Sequence, residues 1–162
     1  VVQVFVTSGT FDGNLGGLAG ADTVCTTAAE EATPTLPGTW TAWLSDDDFD
    51  ARDRIRDGEY QRLDGTVVAN DKADLTDGML NAAIEVDENG ATVPGGNVWT
   101  KTSAEGLAIP AGDCQLWSTA DPGQSGRPGR ATAVDAFWTD IGGGNTCDNL
   151  LRLYCFADAT SN

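Results

Sequence analysis

The chain reads as an α+β domain: one main helix and a short second helix set among short strands, mostly antiparallel, and fastened by disulfides. Three observations predict this. Leu151, Leu153 and Cys155 alternate with Arg152, Tyr154 and Phe156, a period of two that reads as a strand within 146–156. Leu18, Ala21, Val24, Cys25, Ala28 and Ala32 recur at helical spacing. Four cysteines, none in CxxC pairs, suit a disulfide framework better than a thiolate zinc site. Four cysteines allow three pairings, and spacing does not choose among them. Cys147 and Cys155 could bond each other. The preferred reading has them fastening the last strand to the N-terminal half and to the middle loop.

In chain order, Val2 to Thr7 is the first strand, with Val2, Val4 and Val6 on one face and Phe5 on the other. The main helix covers about Gly17 to Ala32 and is stopped by Pro34 and Pro37-Gly38. Thr39 to Leu44 is the second strand. Ser45 is a good N-cap for a short helix through Arg56, with Asp46, Asp47 and Asp48 in a first turn where the helix dipole favours carboxylates. Asp64-Gly65 and Asn89-Gly90 are hairpin signals between short apolar runs. Asn97 to Thr100 and Cys114 to Trp117 read as further strands. The segment 118–135 is polar and rich in Gly and Pro, which predicts an irregular surface loop. No repeat and no linker interrupts 1–162, so one domain is expected. The chain opens directly on an apolar strand, as a mature or trimmed product would.

Composition bounds the function. The net charge is −16, from 25 acidic and nine basic residues. That field repels phosphate and sulfate backbones, so nucleic acid and heparin-like polyanions are poor partners. Histidine is absent, which removes Ser-His-Asp and Cys-His nucleophile arrangements and any His-based zinc site. No apolar run approaches the length of a membrane span, so membrane insertion is not expected. Asn70, Asp71, Asp74 and Asp77 form the best Ca²⁺ candidate by composition, but turn and cap chemistry is the simpler explanation, and no cofactor is expected.

Five stretches, taken together, carry a resemblance. They are Leu15 to Cys25, Ala42-Trp-Leu-Ser45, Val98 to Gly106, Cys114-Gln-Leu-Trp117, and Cys147 to Cys155. In this order they resemble the endostatin-like domain of collagens XV and XVIII. They are closer still to the DUF1554 family of bacterial secreted domains, found on spirochaete and myxobacterial surface proteins. The resemblance implies a C-type-lectin-like fold in an extracellular or cell-surface protein. It also implies the pairs Cys25–Cys155 and Cys114–Cys147. Ala120-Asp-Pro122 and Trp138-Thr-Asp140 only faintly echo the calcium and sugar motifs of C-type lectins, and the histidine-rich zinc site of endostatin has no counterpart.

Three function classes follow. The first is a non-enzymatic recognition or adhesion module that binds a protein or glycan through the 118–135 region. Its candidate ligand-binding residues are Asp121, Gln124, Arg127, Arg130 and Trp138. The second is a structural spacer or self-assembling subunit of an extracellular structure. The third, an enzyme built on carboxylates such as Asp121 and Asp140, lacks a nucleophile, base and orienter set and is not expected. Arg127 and Arg130 are two of only nine basic residues, so each is expected to anchor an acidic group on a partner or within the domain. Core packing is the default for all five tryptophans, with Trp138 or Trp117 the choice for a sugar-stacking platform if one is exposed.

Overall fold

A computed structural model describes residues 1–159. The strands are β1 (Val2–Val6), β2 (Trp40–Ala42), β3 (Tyr60–Arg62), β4 (Val67–Ala69), β5 (Asn97–Trp99), β6 (Ser125–Gly126), β7 (Pro128–Arg130), β8 (Asn145–Thr146) and β9 (Tyr154–Ala157). The main helix is α1 (Gly17–Glu31), and α2 (Ala51–Arg54) and α3 (Lys72–Leu75) are single turns. The chain is therefore α+β, with few helices and mostly antiparallel pairing.

The main sheet has the order β2-β9-β1-β3-β4. Only β1–β3 is parallel. Two small ribbons, β5–β7 and β6–β8, stand apart from it. Strand β9 is held on both sides, by β1 and by β2. Both faces of this sheet are covered, which is why its central strands are apolar at nearly every position. Val2, Val4, Val6, Tyr154 and Phe156 point into one core with Trp43 and Trp138. Phe5, Trp40, Ala42, Leu153 and Cys155 point into the other, under α1. The Cys25–Cys155 disulfide runs through that second core and ties α1 to β9, and Cys114–Cys147 ties two loops together. These are the two pairs that the resemblance implies.

Three expected elements are corrected. The strand expected across 146–156 is broken into β8 and β9. Between them Leu151 bridges Phe11 and Arg152 bridges Val98, so the chain changes partner before it enters the main sheet. The helix expected from Ser45 to Arg56 shrinks to α2. Asp46 Oδ1 instead accepts the N–H groups of Asp48 and Phe49, closing a turn, while the Ser45 hydroxyl accepts the Ala51 N–H at the helix start.

The third correction is the largest. Cys114 to Trp117 is not a strand but one turn of left-handed helix, with φ of 49°, 55°, 58° and 59°. Such a conformation costs roughly 1–2 kcal/mol per non-glycine residue. Tertiary contacts hold it. Cys114 is bonded to Cys147, Trp117 is buried, and its carbonyl accepts the N–H groups of Leu15 and Gly16, each at 3.0 Å.

Candidate functional site

The segment 118–135 is less free than its composition suggests. It contains β6 and β7, so the expectation of a wholly irregular loop is corrected. Pro128 opens β7, a position where a missing N–H costs no ladder bond. Two glycines make the close packing possible. A Cβ on Gly129 would lie 2.2 Å from the Trp138 carbonyl oxygen, and one on Gly126 would lie 2.7 Å from the Trp99 ring. The Arg127 carbonyl accepts N–H groups from both Thr100 and Lys101, and its own N–H donates to Gly112. Cys147 N–H donates to the Gln124 carbonyl at 2.9 Å. The loop thus rests on a base made of the Cys114–Cys147 bond, β5, β8 and the tryptophans beneath.

The five candidate residues separate on this base. Asp121 and Gln124 are exposed, in the turn that precedes β6; Asp121 Oδ1 accepts the Gly123 N–H. Arg127 is turned inward and half-buried. Its Nη2 donates to Asp140 Oδ1 at 3.0 Å, and its Nε is buried without a partner. It serves the domain, not a free surface. Arg130 is exposed at the end of β7, its guanidinium carbon 5.9 Å from the centroid of the Phe137 ring. Phe137 itself is 46% exposed.

Trp138 is corrected. It is 0% exposed, packed against Trp43 and Tyr154, and cannot present a face to a sugar. The other four tryptophans are buried too. Trp117 donates its ring N–H to the Ser45 carbonyl, and Trp99 donates to the Phe11 carbonyl. Tryptophan in this chain is core material. The Trp138-Thr-Asp140 echo of a lectin motif is likewise accounted for inside the domain, because Asp140 is occupied by Arg127 and by the Gly142 N–H.

The Asp71, Asp74 and Asp77 side chains each serve a local turn. Asp71 caps α3 by accepting the Asp74 N–H, Asp74 accepts the Asn70 N–H, and Asp77 accepts the Met79 N–H. Among the described residues no group of three or more His, Cys, Asp or Glu is arranged to hold a metal ion. The perturbed titrations are also structural in origin. The Arg62 hydrogen bonds hold the Asp64 carboxyl at about 2, and burial pushes the Tyr60 and Tyr154 hydroxyls well above the usual phenol range.

Sequence reasoning missed two features. A groove of about 430 Å³ lies beside α1, lined by Phe11, Val24 and Ala28 together with Thr27, Glu31 and Glu88. The Ser8 N–H and hydroxyl both donate to the Glu88 carboxylate, at 2.8 and 2.6 Å. No local pattern announces it, because its residues come from three separate stretches. The second feature is Lys101, a lysine buried to 1% exposure between two aspartates. It lies just past the end of β5, at φ 47°, so no strand alternation marks it as buried.

No protein-family model matches the chain, and no curated protein matches it.

Proposed function

We propose that the chain is a non-enzymatic recognition module of an extracellular or surface-anchored bacterial protein, with a C-type-lectin-like fold, and that it binds a protein or glycan through the 118–137 region. Pairing of the first strand with the last, a disulfide from the first helix to the last strand, and a second disulfide at the base of a long loop region support the fold. Two disulfides suit an oxidising compartment. Among the described residues no helix is long and apolar enough to cross a membrane.

The observation that carries the binding reading is the exposed Arg130–Phe137 pair at the end of a loop held rigidly from below. Arginine and aromatic side chains are the types enriched in protein interfaces. Here they offer a cation and an apolar face in a chain of net charge −16. Asp121 and Gln124, at the other end of the segment, supply polar contacts whose loss would leave the base intact.

The test is a glycan array, probed with and without calcium, beside an array of immobilised extracellular proteins. The double variant Arg130→Ala/Phe137→Ala should lose at least tenfold in affinity for whatever the wild-type chain binds. Its melting temperature should stay within a few degrees. Undiminished binding by the double variant would overturn the reading, and so would a sharp loss of stability, which would make the pair structural.

A further inference from the structure

Lys101 is the most deeply buried charged group among the described residues, and the recognition reading does not use it. Its backbone is fixed on both sides: its N–H donates to the Arg127 carbonyl and its carbonyl accepts the Ile109 N–H. It sits at φ 47°, in the left-handed region, so the chain adopts an unfavourable backbone angle to aim this side chain inward. Its Nζ lies 2.5 Å from Asp47 Oδ1 and 3.5 Å from Asp113 Oδ2. The Asp113 side chain is only 14% exposed, and its Oδ2 is buried with no hydrogen-bond partner. As three charges, this arrangement buries an ammonium and leaves one carboxylate oxygen unsatisfied, a costly state.

We propose that Lys101 and Asp47 are joined by an intramolecular amide bond, which forms in the folded chain with Asp113 as the proton carrier. The lysine ammonium gives one proton to Asp113 and becomes a neutral amine. Its lone pair attacks Cγ of Asp47, and the C–N bond forms. A second nitrogen proton and the proton held by Asp113 pass to one Asp47 oxygen, the C–O bond breaks, and water leaves. The third proton stays on the amide nitrogen, and Asp113 ends as the carboxylate it was. No oxidant, metal or cofactor is consumed.

The geometry favours each part. The reacting groups are held in contact by the fold, and well-oriented intramolecular reactions reach effective concentrations of roughly 10⁵ M or more. The Asp47 side chain is 66% exposed, so the departing water has a direct route to solvent. The product removes two charges from the site. Asp113 Oδ2, the orphaned oxygen 3.5 Å from Nζ, is placed to accept its single N–H. The bond joins the turn after β2 to the segment after β5, and Lys101 N–H already braces the loop through the Arg127 carbonyl.

Intact mass of the folded chain, after reduction and alkylation, reads the bond directly. The expected mass is that of the sequence with its four cysteines alkylated, less one water, and proteolysis should yield a branched peptide joining the Asp47 and Lys101 segments. Asp47→Asn should reach the same branched product by losing ammonia in place of water. Asp113→Asn should keep the full sequence mass with an unchanged circular-dichroism spectrum. A wild-type chain of full mass, whose Lys101 amine is acetylated once the chain is denatured, overturns the proposal without need of any variant. Closure of Asp113→Asn at the wild-type rate overturns the role given to Asp113.

Discussion

Replacing Cys25 and Cys155 together with alanine should lower the stability of the domain more than opening the other disulfide. The bond closes a loop with a sequence separation of 130 residues. Chain-entropy reasoning assigns such a loop about 5 kcal/mol, through the freedom it removes from the unfolded chain. Cys114–Cys147 closes a separation of only 33, for which the same relation gives about 4 kcal/mol. The geometry widens that difference. Cys25 and Cys155 are both fully buried in unstrained elements, α1 and the central strand β9. Cys114 belongs to the left-handed turn, so opening its bond releases a strained segment and recovers part of the loss.

For a domain of this size each kcal/mol shifts the melting temperature by about 2–4 °C, so Cys25→Ala/Cys155→Ala should melt about 10–20 °C below wild type. Thermal and urea melts of the two double variants, at equal concentration, test this. A second measurement separates the cause. If the effect acts through the unfolded chain, the urea m-value should rise when the bond is absent, because the unfolded state expands. A drop smaller than about 3 °C, or a Cys114→Ala/Cys147→Ala variant that is the less stable of the two, would refute the reasoning.

Two further outcomes are expected. Gln115→Gly should stabilise the domain by about 0.5–1 kcal/mol, because exposed Gln115 sits at φ 55° where glycine pays no Cβ penalty; a lower urea midpoint would show that the turn is not strained. Both tyrosines are buried with titrations pushed upward by desolvation, so their contribution to stability is intact below pH 10 and is lost as the pH rises above the unfolded value. Tyrosinate absorbance should therefore appear only as the chain unfolds in alkali, and a tyrosine that titrates while circular dichroism stays native would contradict the burial.

What was legible in the sequence follows a physical rule. The last strand was readable because Leu153 and Cys155 feed one core and Tyr154 and Phe156 the other, which leaves a run of apolar residues of strand-forming type. The helix of Gly17–Glu31 was readable because one stripe of it, Ala21, Cys25 and Ala29, is buried. The turn at Cys114–Trp117 was not, since Gln and Leu carry no preference for positive φ and only the surrounding contacts impose it. Lys101 escaped because charge is an ordinary mark of the surface, and burial of a lysine is decided by partners distant in sequence, Asp47 and Asp113. Arg127 and Arg130 look alike as residues. Asp140 draws one inward, while no carboxylate among the described residues forms a salt bridge with the other, which lies over Phe137 instead.

The same contrast explains how a loop of this kind can change what it binds without losing its shape. Its contacts to the base are almost all main-chain: the Gln124 carbonyl to Cys147, the Arg127 N–H to Gly112, the Arg127 carbonyl to Thr100 and Lys101, and β7 against β5. Main-chain bonds survive most substitutions of the side chains that hang from them. The residues that cannot vary are those whose size or bond sets the base, namely Gly126, Gly129 and the two cysteines. Asp121, Gln124, Ser125 and Arg130 carry no such duty and face solvent. Affinity can therefore be altered at these four positions with little change in stability, whereas a methyl group added at Gly129 would meet the Trp138 backbone at 2.2 Å and force β7 off its partner.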